Sequence, residues 1–222
     1  MIKYDGERFW VCIEFRKEVK LYKPRSYLAI DLNFDNITIM IVRGRRIIKI
    51  KRFPIPLRRV LIHRIWIERI MKRYPKRWKY VKGVRNAIRR HGKRMRSILD
   101  DWCHKLANRI ADLAKRYRAE ILLEDLDKFR ERRKGSASFN KKLALWCYRR
   151  LQSYIVYEAM ERGVPVSFVD PKATLSRCPF CGSKLVELPN RVVKCVNCGF
   201  VGDRDVTACT NLILKHARCG GV

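Results

Sequence analysis

Apolar positions recur along this chain in two rhythms. Residues 26–33 read S-Y-L-A-I-D-L-N, and after a turn at Phe34-Asp35-Asn36 the chain continues I-T-I-M-I-V. Both arms are rich in β-branched and apolar residues, so they predict a hairpin. Gly44 turns the chain into a third predicted strand at 46–53, which Pro54 and Pro56 end. Upstream, residues 8–20 alternate in part and predict a strand broken by Lys23-Pro24-Arg25. Over 57–118 the rhythm becomes helical, and Pro75 and Gly92 are expected to divide it into two or three helices. The last of these, at 95–117, carries Ile98, Leu99, Trp102, Leu106, Ile110, Leu113 and Ala114 as one apolar stripe. A short strand at 119–123 ends at Glu124-Asp125. Residues 128–138 predict a mobile basic loop. Residues 143–162 predict an amphipathic helix with Leu145, Trp146, Leu151, Tyr154, Ile155 and Ala159 inward and Gly163 as its cap. A strand at 164–169, followed by Asp170-Pro171, and a final helix at 206–217 complete the pattern, with no internal repeat.

The order is three strands, helices, strand, helix, strand, helix. An antiparallel meander feeding a parallel crossover is the pattern of an α/β protein with an RNase H-like mixed sheet flanked by helices, a fold-level analogy.

Charge adds a partner. Lys and Arg number 52 against 21 Asp and Glu, a net +31 over 222 residues. Folding does not require that excess; a polyanion, most often nucleic acid, does. Residues 57–118 hold 21 of the cations and only 4 acids, a net +17, so few of those cations can pair locally. An acidic membrane surface is the competing partner, but no stretch approaches the roughly 18 apolar residues of a spanning helix. The first ten residues carry charges throughout and show no signal peptide. An intracellular, cytoplasmic protein with reduced cysteines is therefore expected.

Four of the nine cysteines stand in two Cys-x-x-Cys pairs, Cys178/Cys181 and Cys195/Cys198, thirteen residues apart. Gly182 and Gly199 follow the pairs and can take the positive φ that ends such a turn. Residues 184–188 and 191–194 predict two short strands around Pro189-Asn190. Two disulfides or four unrelated thiols are the plainer alternative, but paired spacing in a reduced protein is a metal pattern. The prediction is a zinc ribbon whose four thiolates leave no open coordination position, hence structural Zn²⁺. Cys12, Cys103, Cys147, Cys209 and Cys219 lack paired spacing and read as small apolar residues or free thiols.

Three acids complete the candidate chemistry. Asp31 lies inside the first arm of the hairpin, where a charge needs a partner or a metal. Glu124 ends the fourth strand, which in this sheet would lie beside the first. Asp205, seven residues after the last ribbon cysteine, starts the final helix. Carboxylates brought together repel, and divalent cations such as Mg²⁺ reverse that cost. Asp125, Asp170 and Asp203 are weaker rivals, and each preferred acid also has a structural reading: a turn or capping acid, a surface acid at a strand end, a helix-dipole acid.

The motifs A-I-D-L-N, I-L-L-E-D-L and D-R-D-V-T-A-C-T-N-L, with the ribbon between the second and third, resemble the OrfB/TnpB family of transposon-encoded proteins, relatives of the type V CRISPR effector nucleases. The resemblance runs from about residue 8 to 216. It implies a RuvC-like nuclease domain with Asp31, Glu124 and Asp205 as catalytic, Mg²⁺-binding acids. Its third motif selects Asp205 over Asp203. The sequence departs from the family at Asn33 (usually Gly), Thr207 (usually Asn) and Cys209 (usually Ala). The resemblance also implies an N-terminal half that helps bind guide RNA and the DNA motif beside the target, of which 1–22 would be a remnant.

The expected organisation is therefore a nuclease domain at 23–174 and 203–222, a basic helical insertion at 57–118 and a zinc ribbon at 175–202. The expected partners are DNA and a guide-type RNA, with no membrane, and another chain supplying the N-terminal half. Two functional readings remain open: a Mg²⁺-dependent, RNA-guided, two-metal DNA endonuclease of a transposable element, and a non-catalytic DNA- or RNA-binding protein derived from one. The charge serves both; the retained acids favour the first.

Overall fold

The computed structural model describes residues 1–14, 16–75, 77–125, 148–170 and 176–219. The loop predicted at 128–138, the helical positions Leu145 and Trp146, and Cys147 lie outside the described residues.

Five strands form the central sheet. They are β3 (Ser26–Leu32), β4 (Asn36–Arg43), β5 (Arg46–Pro54), β6 (Ala119–Glu124) and β7 (Val166–Val169), in spatial order β5-β4-β3-β6-β7. The first three make the expected antiparallel meander. Strand β6 then adds parallel to β3, and β7 parallel to β6. The sheet is thus mixed, and its central strands are buried on both faces, which is why their sequences are near-continuously apolar.

The two-residue period of the strands sorts their side chains into two cores. Leu28, Ile30, Ile39, Ile121 and Leu123 face one side. There they meet Leu106, Ile110 and Ala114 of helix α2 (Lys82–Tyr117) and Leu151, Ile155 and Ala159 of helix α3 (Tyr148–Glu161). Ala29, Met40 and Leu122 face the other side, against Cys209 and Leu212 of helix α4 (Arg204–Cys219). Gly163 ends α3 with φ +72°, and a Cβ there would stand 2.6 Å from the Lys20 carbonyl oxygen, so only glycine fits.

Three expectations need correction. No strand spans 8–20: β1 (Ile2–Tyr4) and β2 (Phe9–Val11) form a small exposed hairpin, apart from the main sheet. Glu14, Arg16, Lys17, Glu18 and Lys20 leave the rest of that segment no face to bury. Gly92 does not break the basic segment: after α1 (Leu57–Arg73) and a 3-10 turn (Arg77–Lys79), α2 runs unbroken for 36 residues. A glycine inside a helix costs about 1 kcal/mol relative to alanine, less than the long apolar stripe of α2 returns. The cysteine segment has a third strand as well: β8 (Leu185–Leu188), β9 (Val192–Cys195) and β10 (Val201–Asp203) make an antiparallel sheet in the order β10-β9-β8.

A buried carboxylate cluster beside a four-cysteine module

Strand periodicity places the first two acids. Asp31 shares the α4-facing side of β3 with Ala29, and Glu124 shares that side of β6 with Leu122. Ala29 is in register with Leu122, so two residues further on Asp31 stands beside Glu124. The antiparallel partner of Asp31 is Thr38. Helix α4 packs over this face and its first turn carries Asp205. All three acids are buried, with 3%, 8% and 1% of their surface exposed for Asp31, Glu124 and Asp205.

Hydrogen bonds tie the acids together. Asn33 Nδ2 donates both to Asp31 Oδ2 and, at 3.2 Å, to Asp205 Oδ1. Thr38 Oγ1 donates to Asp205 Oδ2 at 3.4 Å. Gln152 of α3 donates to the Glu124 backbone carbonyl at 2.7 Å and fixes the end of β6. Asp31 is pushed from 3.8 up to about 7, by burial first and then by the charges of Glu124 and Asp205. A carboxylate so burdened calls for a cation, and hard oxygens from three acids suit Mg²⁺.

That strain has a sign. The Asp31 penalty is absent below about pH 4, grows as pH rises through the window between 3.8 and about 7, and is full above it. Asp31→Asn removes the charge. In Mg²⁺-free buffer without added chelator, the variant should melt roughly 5 °C or more above wild type at pH 8, the gap closing toward pH 4. A variant that melts lower at pH 8 would contradict the strained cluster.

Arg191 is a member of the cluster that sequence reasoning missed. It lies at the tip of the β8–β9 hairpin, with φ +61° next to Asn190 at +60°. Its Nη1 donates to both Asp35 oxygens at 2.8 and 2.9 Å, while Nη2 and Nε donate to Asp205 Oδ1 at 3.0 and 3.3 Å. Burial alone would raise the Asp35 carboxyl, but the guanidinium outweighs it and holds Asp35 below its ordinary value. A left-handed backbone is costly for arginine. No spacing rule marks a lone arginine at a hairpin tip; only the packing of the hairpin against the sheet singles it out.

Asp203, the rival to Asp205, has another task. Its Oδ1 accepts from the backbone N–H groups of Asp205 and Val206, capping α4, and it pairs with Arg52 of β5 at 2.7 Å. Asp170 lies near Lys215 at 3.4 Å. The three residues that depart from the family also have places, Thr207 donating to the Asp203 carbonyl at 2.7 Å. Asn33 bridges Asp31 and Asp205, and Cys209 is buried with its Sγ 3.8 Å from the carbonyls of Ala29 and Thr38. Burial raises that thiol well above its ordinary range.

The sulfurs of Cys178, Cys181, Cys195 and Cys198 all lie within 4.8 Å of one another, the nearest pairs at 3.4 and 3.6 Å. Tetrahedral thiolates about 2.3 Å from one zinc ion stand about 3.8 Å apart, so the four fit such a site. Gly182 and Gly199 take φ +73° and +71°, as expected for the turns that close each pair. Asn211 of α4 donates to the Arg177 carbonyl at 2.8 Å, tying the module to the helix that carries Asp205. Among the described residues no helix is long and apolar enough to cross a membrane.

A mixed sheet with a buried carboxylate cluster at one end and a four-cysteine module beside it defines the class. Residues 148–212 match the family model described as Cas12f1-like, TNB domain. A TnpB-like protein of Methanocaldococcus jannaschii is 32% identical over 223 aligned positions, which cover 99% of this chain and 78% of the relative. The chain belongs to the TnpB-like family. The CRISPR-associated endodeoxyribonuclease Cas12f1 of Sulfoacidibacillus thermotolerans is 33% identical over 118 residues, 51% of this chain and 26% of the relative. A Cas12f1–sgRNA–target DNA complex shares the fold with a TM-score of 0.57 at 19% identity, over 87% of this chain and 51% of that one. The chain thus spans about half of that structure and about a quarter of the nuclease relative.

Proposed function

We propose that this chain is a divalent-metal-dependent, RuvC-like DNA endonuclease of a transposable element, acting with a guide-type RNA. The observation that carries the reading is the convergence of Asp31, Glu124 and Asp205, from three separate elements, on one buried point under the start of α4. The strand order β5-β4-β3-β6-β7 supports an RNase H-like sheet. Relatives named as endodeoxyribonucleases, and the fold shared with a complex holding sgRNA and target DNA, support DNA as substrate and RNA as partner.

In this reading the three carboxylates supply the oxygens that hold the cations. Bound there, paired Mg²⁺ ions would activate the attacking water and stabilise the leaving oxygen. Asn33 and Thr38 hold Asp31 and Asp205 in place until the ions enter. Arg191, bonded to Asp205 and Asp35, offsets part of the cluster's negative charge. The four cysteines hold a structural zinc, and the module at 175–202 presents Arg191 to the nuclease fold made of 23–174 and 203–222.

The basic helices would bind the nucleic acid. Affinity should fall steeply with salt, by a slope of roughly 0.9 in log affinity per log salt for each duplex phosphate contacted. Binding that stays flat between low and high salt would rule out a phosphate-dominated surface. The nuclease reading itself is tested by incubating single- and double-stranded DNA with the protein and candidate guide RNA, with and without Mg²⁺. Metal-dependent cleavage is the expected result.

A further inference from the structure

Helices α1 and α2 carry none of the three carboxylates, yet they build a second polar site between them. His63 of α1 and His91 of α2 face each other with their Nδ1 atoms 3.0 Å apart. The Trp66 ring lies nearly parallel to His91, at 11° and 6.3 Å between centroids. The guanidinium of Arg69 sits 5.4 Å from the Trp66 ring centre. Beside the pair opens a groove of about 660 Å³ lined by His63, Arg90, His91, Lys93, Arg94 and Ser97.

Two imidazoles at this separation could clasp a soft metal, but their surroundings argue against it. From α2, Arg90, Lys93 and Arg94 face the groove. From α1, Arg59 lines the adjoining hollow with Arg94 and Ser97, while Arg64 is paired with Glu68. The 3-10 turn packed on α2 adds Arg77 and Lys79. Asp101, in that same hollow, is paired with Lys105 at 2.8 Å. A field so positive repels cations and attracts an oxyanion. At about 660 Å³ the groove is also far larger than a small anion alone would fill.

We propose that this groove is a binding site for the phosphodiester backbone of a single-stranded nucleic acid, gripped by Arg90, Lys93 and Arg94 and strengthened by proton uptake at the His63–His91 pair. It rests on the reading that the basic helices contact nucleic acid, and it names where they do so and how pH tunes the contact. At 3.0 Å one Nδ1 must donate and the other accept, so the closed pair holds at most one extra proton. A second proton would part the rings and turn both toward a bridging anion. Burial, then His63, then Arg90 hold the His91 imidazole below its ordinary value in the free protein. A phosphate in the groove works the other way. Imidazole that is more basic in the complex than in the free protein makes binding take up protons, so affinity rises as pH falls.

The test measures affinity for a 20-nucleotide single-stranded RNA, and for DNA of the same sequence, between pH 8 and pH 5.5 at fixed ionic strength. Wild type should bind roughly tenfold more tightly at the lower pH, the effect of one imidazole raised by one unit. His63→Gln together with His91→Gln should lose most of the pH response. Alanine at Arg90, Lys93 and Arg94, which favours helix and so spares the fold, should lower the log–log salt slope by about 2, at roughly 0.7 per single-strand phosphate. An unchanged pH response in the double Gln variant, an unchanged salt slope in the triple Ala variant, or a response confined to RNA or to DNA would overturn the proposal while salt-dependent binding by the wild type left the broader reading standing. No salt-dependent binding by the wild type would overturn both.

Discussion

Alanine at Asp31, Glu124 or Asp205 is expected to lower Mg²⁺-dependent DNA cleavage at least a thousandfold, about 4 kcal/mol of barrier. The acids act jointly. In the proposed reading each would supply oxygens to cations that no two of them could hold in the same geometry, so removing one should disable the site. Binding should change little, because the basic helices proposed to carry it bear none of these residues. Asp203→Ala is the control. It removes the α4 cap and the pair with Arg52, which costs about 1 kcal/mol of stability but leaves the cluster's oxygens in place. Cleavage that survives Asp205→Ala and fails with Asp203→Ala would move the third acid to position 203. A wild type that binds salt-sensitively but never cuts, with Mg²⁺ and guide RNA supplied, would replace the nuclease reading with that of a nucleic-acid-binding protein.

Cys195→Ser is expected to release the zinc and unfold the module that carries it. Purified wild type should hold about one zinc per chain, and the variant close to none. Structural zinc sites contribute on the order of 10 kcal/mol to small modules, and this one has little else. Its own core consists of Cys178, Leu185, Val193 and Cys195, with Phe200 packed alongside, so two of its four buried members belong to the four-cysteine cluster itself. Hydrogen exchange should quicken across 176–203 while the central sheet stays protected. Cleavage should fall as well, because the hairpin that unfolds is the one presenting Arg191 to Asp205. A variant that keeps full zinc, or a module that keeps its protection without it, would remove the metal from the account.

Much of this architecture was legible in the residue pattern. The meander announced itself by β-branched runs separated by Asp35-Asn36 and Gly44, because short-range turn chemistry and two-residue periodicity are local properties. The four cysteines were legible for the same reason: their spacing encodes a metal geometry that does not depend on the remainder of the fold. Asp31 could be nominated because a charge inside an apolar strand is improbable unless something pairs with it, while Glu124 at a strand end and Asp205 at a helix start are singled out by the family motifs.

What local pattern could not decide was anything set by competition between distant segments. Residues 8–20 alternate well enough to be a strand, but no neighbour offers an edge and a buried face, so only Phe9–Val11 pairs, with Ile2–Tyr4. Gly92 reads as a helix breaker, yet α2 continues through it because Met95, Leu99, Cys103, Leu106 and Ile110 bury the face beyond. Asp203 and Asp205 stand two residues apart; the family motif selects Asp205, and packing supplies the physical reason: one turns outward to cap the helix and meet Arg52, the other is buried against Asn33 and Thr38. Arg191 is the plainest case. Its place depends on how the cysteine module leans on the sheet, 14 residues from Asp205 in sequence but 156 from Asp35. Strand periodicity and metal spacing are written in neighbouring residues; the meeting of charges from separate elements is settled only when the burial of two cores on one sheet brings those elements together.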